Sequence, residues 1–147
     1  MQNDPWSITL ETDPDSSLRS DILAPLIAYN ESAGGPAHGG LLAVTVRNGE
    51  GAVVGGLWGR VGYGFLFIEL LALGPAKGIG LGRKVMELAE VEARRQGLIG
   101  MWLDTWTFQA PDFYPKLDFV ECGRITGYPP GHDRIFYVKR FDPVEID

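Results

Sequence analysis

Hydrophobic positions along this chain change their spacing several times, and each change marks an element. Residues 6–11 alternate apolar and polar side chains as a first strand does, and Asp13-Pro14-Asp15 ends the run. Ser16-Ser17 then offers a helix cap, after which Leu18, Ile22, Leu23, Leu26 and Ile27 recur at helical spacing. A glycine-rich loop around His38 follows. Residues 41–47 and 52–58 flank Asn48-Gly49-Glu50-Gly51, the turn chemistry of a β-hairpin. After another turn at residues 62–64, residues 65–73 are a mostly apolar run suited to a central strand. Helical spacing returns over residues 80–96, with Leu81, Val85, Leu88, Ala89 and Ala93 on one face. Arg83, Lys84, Glu87, Glu90, Arg94 and Arg95 occupy the other. Glu90 and Arg94 form an i,i+4 pair worth roughly 0.2–0.5 kcal/mol, and Gly97 stops the helix. Residues 101–106 predict a strand, 112–117 a short helix, 119–126 a strand, 127–132 a turn and 134–141 a last strand.

The junction between the apolar run and the long helix carries most of the chemistry. Gly74-Pro75 leads into Lys77-Gly78-Ile79-Gly80-Leu81-Gly82. Alternating glycines let backbone approach a ligand without Cβ interference and reach φ > 0 where required. The helix behind them presents unpaired N–H groups and the positive end of its macrodipole, a site suited to phosphate. A tight strand-to-helix turn uses the same residues, so spacing must discriminate. A Walker A loop would need Ser or Thr after Gly-Lys, whereas Gly82 precedes Arg83-Lys84. The dinucleotide fingerprint needs G-x-G-x-x-G near the first strand, and this G-x-G-x-G lies midway along the chain.

The segment instead resembles the cofactor motif of the GCN5-related N-acetyltransferases (Arg/Gln-x-x-Gly-x-Gly/Ala). Lys77, Gly80 and Gly82 fall on its positions, and Leu73-Gly74-Pro75 is similar to the family's Val-x-Pro strand exit. A second stretch, Ala110-Pro111-Asp112-Phe113-Tyr114-Pro115-Lys116-Leu117-Asp118-Phe119, resembles the family's A-x-x-x-Y-x-K-x-G-F segment. Thr107 stands where Asn is common, with Gln109 nearby, and Asp118 stands where glycine is usual. The resemblance implies an α/β (α+β) fold in the order β-α-β-β-β-α-β-α-β-β. Its central sheet would be mixed and mostly antiparallel, flanked by helices.

Composition narrows the setting. With 147 residues and 45% apolar content, one domain spanning 1–147 with a real core is expected. A net charge of −6 argues against nucleic acid as a partner. No apolar run is long enough to span a bilayer and no signal-like start is present, so a cytoplasmic protein with no membrane partner is expected. The single cysteine, Cys122, excludes an internal disulfide and reads as a small core residue. His38 and His132 lie in separate loops, and no metal site is expected.

The resemblance assigns chemistry to particular residues. Acetyl coenzyme A would be bound by the loop of Lys77, Gly78, Ile79, Gly80 and Gly82, with Arg83 following. Leu71 and Leu73 would offer main-chain contacts to its pantetheine arm, and coenzyme A would be the product. An amine would attack the thioester directly in a ternary complex, with Tyr114 protonating or hydrogen-bonding the departing sulfur. Primary amines hold their proton up to a pKa near 10, so a base is needed. Glu69, within an apolar strand, is the first choice, and Asp104 the second. The implied activity is N-acetyl transfer to a small-molecule or peptide amine. A non-catalytic acyl-coenzyme A binding or regulatory module of the same fold is the alternative. Trp58, Trp102, Trp106, Phe108, Tyr128 and Tyr137 either line an acceptor cleft or build core. Loops at residues 30–40 and 127–133 would select the acceptor, and family members often form homodimers.

Overall fold

The computed structural model describes residues 5–74 and 78–141. It comprises two compact units, Met1–Pro36 and Ala37–Asp147. The first contains helix α1 (Ser16–Gly34), capped by Asp15, whose side chain accepts a hydrogen bond from Ser17 N at 3.0 Å. The cap is thus one residue earlier than the serine pair suggested. Residues 6–11 form no strand. Their alternation is real, but Ile8 and Leu10 are 100% and 87% exposed, and alternation alone supplies no partner ladder.

The second unit holds a six-stranded sheet with spatial order β1-β2-β3-β4-β6-β5. Its strands are β1 (Gly40–Arg47), β2 (Val53–Gly62), β3 (Phe65–Ala72), β4 (Gly100–Trp106), β5 (Val120–Thr126) and β6 (Asp133–Arg140). β3 pairs with β4 in parallel, as the intervening helix α2 (Leu81–Arg95) requires, and the other neighbours are antiparallel. The mixed, mostly antiparallel sheet is the expected one, short of the first strand. The expected helix at residues 112–117 is two 3-10 turns, Pro111–Phe113 and Pro115–Leu117, because a proline opens each.

One face of the sheet makes the core. Leu57, Leu66, Ile68, Met101, Leu103, Ile135 and Tyr137 meet Val85, Met86, Ala89 and Ala93 of α2. Tyr114, Leu117 and Phe119 extend that layer. Leu88, expected inside, is 60% exposed, and Met86, two residues earlier, is buried instead. Cys122 is also exposed, against expectation. Glu121 pairs with Tyr137 and Gly123 with Phe136, so Cys122 is the extra residue of a β-bulge on the last strand of the sheet.

Candidate active site

Parallel pairing between β3 and β4 stops early. Phe65, Leu66 and Phe67 are in register with Gly100, Met101 and Trp102, and beyond that rung the strands separate. β3 continues to Ala72 and β4 to Trp106, so their C-terminal halves form a fork whose inner edges lack a ladder. A second irregularity sits inside it. Ile68 pairs with Gly59 and Leu70 with Trp58, leaving Glu69 as the extra residue of a bulge. The bulge turns Glu69 outward, where its carboxylate meets Arg60 Nε at 3.0 Å with 41% of the side chain exposed. The burial cost expected of a carboxylate in that apolar strand is therefore relieved by backbone geometry and an ion pair.

Beyond β3 the chain turns into α2 through left-handed glycines. Gly74 has φ 54°, Gly78 φ 89° and Gly80 φ 80°. A Cβ at Gly78 or Gly80 would meet nothing within 4 Å, so this backbone faces open space. Gly80 is the N-cap of α2, no side chain caps the helix, and no acid lies in its first turn. The first-turn N–H groups are thus left for an external acceptor, and Arg83 and Lys84 add positive charge beside them. Those features fit a diphosphate. Gly82 has a different job: its missing Cβ would sit 3.0 Å from Leu73 Cδ1 and 3.2 Å from Phe113 Cζ, so glycine allows α2 to start against β3 and the 3-10 turns. Ile79 is exposed, Leu71 half-buried, and Lys77 lies outside the described residues. Behind the helix start, a shallow cavity of about 240 Å³ is lined by Arg83, Met86, Glu87, Glu90, Lys116 and Lys139 among others.

Tyr114 lies on the α2 side of the sheet, only 9% exposed, its ring against Phe113, Phe119 and Tyr137. Burial first, and the negative charge of Asp104 second, push its pKa up to about 12. The phenol therefore stays protonated at physiological pH and can donate but not remove a proton. Asp118, just after it, adopts the left-handed conformation that a glycine would take there, with φ 69°. Thr107 has its own use: its hydroxyl accepts from Asp133 N at 3.0 Å and lies 3.3 Å from His132 Nδ1, tying the 127–133 loop to the end of β4. Gln109 accepts from Trp106 N and Thr105 Oγ1.

The opposite face of the fork is built by alternation. Phe67 and Glu69 of β3, and Trp102, Asp104 and Trp106 of β4, point away from α2. Phe67 and Trp102 stack at the crotch with centroids 4.1 Å apart. Two carboxylates then flank the opening, each tied to an arginine one strand further out. Glu69 pairs with Arg60 of β2, and Asp104 accepts from Arg134 of β6 through Nε at 2.9 Å and a terminal nitrogen at 2.8 Å. Sequence reading singled out neither arginine. Arg60 falls opposite Phe67, and Arg134 opposite Trp106, two register positions from Asp104, through long-range pairing that local pattern does not reveal.

The fold thus carries a splayed parallel pair, a bare glycine turn at an uncapped helix and a buried phenol, an arrangement that could receive a diphosphate-bearing acyl carrier. The chain belongs to the acetyltransferase (GNAT) family, whose model matches residues 2–119. It is 33% identical over 128 residues to acetyltransferase Atu2258 of Agrobacterium fabrum, covering 86% of this chain and 93% of that one. Over 92 residues it is 41% identical to the blasticidin-S acetyltransferase of Streptomyces morookaense, covering 61% and 68% of the two chains. A crystal structure of a candidate acetyltransferase from Agrobacterium tumefaciens superimposes with TM-score 0.87 at 31% identity, over 92% of this chain and all of the other. Acetyl coenzyme A is the family's acyl donor. No described helix is long and apolar enough to cross a membrane.

Proposed function

We propose that this protein transfers the acetyl group of acetyl coenzyme A to a primary amine by direct attack within a ternary complex. The reading rests chiefly on the fork, which would give an acyl carrier access from the α2 side and an amine access from the other. The bare turn at Gly78, Ile79 and Gly80 would hold the diphosphate through main-chain N–H groups. Arg83 and Lys116, which line the cavity behind it, would add charge for the phosphates. Leu71, at the end of β3 that has no β4 partner, and Leu73 just beyond it would offer their backbone to the pantetheine amides. Bound there, the cofactor supplies an activated acyl group and a sulfur leaving group.

Residues of the chain would manage the protons. Tyr114 Oη, kept protonated by its surroundings, is a weaker acid than a thiol of pKa about 8.5, so it donates a hydrogen bond to sulfur and keeps its proton. Glu69, exposed on the acceptor side and charge-balanced by Arg60, would accept the amine proton directly or through water, with Asp104 as its counterpart on β4. A blasticidin-S acetyltransferase among the relatives supports a small-molecule amine as the acceptor.

The test is thiol release from acetyl coenzyme A over a broad amine panel, with mass spectrometry of the acetylated product. Turnover of one or more amines with N-acetyl product supports the assignment. Tight acetyl coenzyme A binding without turnover of any amine overturns it, and product acetylated on oxygen overturns the choice of nucleophile.

A further inference from the structure

On the acceptor side of the fork, β4 ends in a shelf of rings. Trp106 lies near-parallel to Phe108 at 5.8 Å (23° between planes) and to Tyr128 at 6.0 Å (13°). Phe108 is steadied edge-on by His132 at 5.1 Å. Phe108 and Tyr128 remain 56% and 43% exposed, so within this unit the aromatic area is neither core nor covered. The shelf is held in shape from behind. Thr107 anchors the 127–133 loop that carries Tyr128, and the Arg134 guanidinium lies 4.6 Å from the Trp106 ring, 5.5 Å from Phe136 and 5.6 Å from Tyr128. Arg134 therefore stacks as a flat group on these rings while clamping Asp104.

Charge on the same face is cancelled. Glu69 is matched by Arg60 and Asp104 by Arg134. A polycation would find those carboxylates already paired, each needing its arginine displaced. What the face offers without prior commitment is π surface. Rings held rigid, half-exposed and two residues from a carboxylate at the fork suit a flat partner that stacks and brings an amine to that carboxylate.

We infer that the acceptor is an amine borne by a planar aromatic or heterocyclic ring system, and that Trp106, Phe108 and Tyr128 determine that specificity. This inference rests on the N-acetyltransferase reading of the fork and names the acceptor class for it.

The experiment titrates the protein saturated with coenzyme A with tryptamine, n-hexylamine and spermidine. It is repeated for the exposed-site variants Phe108→Ala and Tyr128→Ala, and for Tyr128→Phe. Tryptamine should bind at least about tenfold more tightly than either aliphatic amine, and each alanine variant should weaken it about fivefold while Tyr128→Phe does not. In turnover, the alanine variants should raise KM for tryptamine and leave kcat within about twofold. Equal or tighter binding of hexylamine or spermidine, no binding of tryptamine, or unchanged tryptamine affinity in both alanine variants overturns the inference. Acetyl coenzyme A affinity, measured separately, should be the same in all variants. Loss of cofactor binding in the parent protein would instead sink the enzymatic reading beneath it.

Discussion

Tyr114→Phe removes a single hydroxyl group and leaves the ring in place. The ring keeps its contacts with Phe113, Phe119 and Tyr137, and no described residue hydrogen-bonds the hydroxyl, so folding should weaken by less than about 1 kcal/mol. Because the phenol is held near 12, it stabilises sulfur charge as a hydrogen-bond donor and does not surrender its proton. A hydrogen bond to a charged group contributes about 1.5–3 kcal/mol. That range converts to a kcat loss of roughly 10- to 150-fold, with little change in acetyl coenzyme A affinity. Stopped thiol-release assays from pH 7 to 10 should show a constant ratio of parent to variant, since the donor does not ionise in that window. A proton-losing acid near 10 would make the ratio collapse at the alkaline end. The stability side has a definite sign: burial makes the folded state bind the phenolic proton more tightly than the unfolded chain. The parent protein should lose that increment as pH rises from about 10 through about 12, and the phenylalanine variant should not. Full activity in a folded, cofactor-binding Tyr114→Phe protein would refute the role.

Other substitutions probe other parts. Gly80→Ala meets no steric obstacle but must hold φ near +80°, so denaturant unfolding should report a loss of about 1–2 kcal/mol and calorimetry a weaker acetyl coenzyme A complex. Gly82→Ala instead pushes a methyl against Leu73 and Phe113, costing about 1–3 kcal/mol in the same unfolding assay. Glu69→Gln should lower kcat about a hundredfold near neutral pH and recover at alkaline pH, where the amine deprotonates unaided; Asp104→Asn, measured alongside, identifies which carboxylate does the work. Burial pushes the Glu90 carboxyl up, but hydrogen bonds from Lys139 and Arg94 outweigh it and hold it below the usual range. Its contribution should therefore be present above about pH 4.3 and fade on acidification, and Lys139→Met should shrink that acid-dependent part of the unfolding midpoint.

Local pattern revealed the elements whose residues decide their own conformation. The glycine turn into α2, the hairpin at Asn48 and the proline-led segment around Tyr114 follow from backbone preferences within a few residues. Where pairing decides, local reading fell short. The bulges at Glu69 and Cys122 are set by the partner strand's register, and each reversed an expected burial. The arginines behind Glu69 and Asp104 arrive from neighbouring strands, 9 and 30 residues away, with no signature nearby. Trp106, Phe108 and Tyr128 looked equally suited to core, and only the sheet face they occupy separates them from Tyr137, which is buried.

The early end of the β3–β4 ladder also shapes how the molecule holds together. Two antiparallel triplets, β1-β2-β3 and β4-β6-β5, meet along a seam just three rungs long, buttressed by α2 from one side. Those three described rungs alone join the two triplets as a ladder, so tilting one against the other would strain no rung elsewhere. A ligand strand seated in the fork would supply the missing rungs, so loading the donor would fasten the two halves into one stiffer body before the amine arrives.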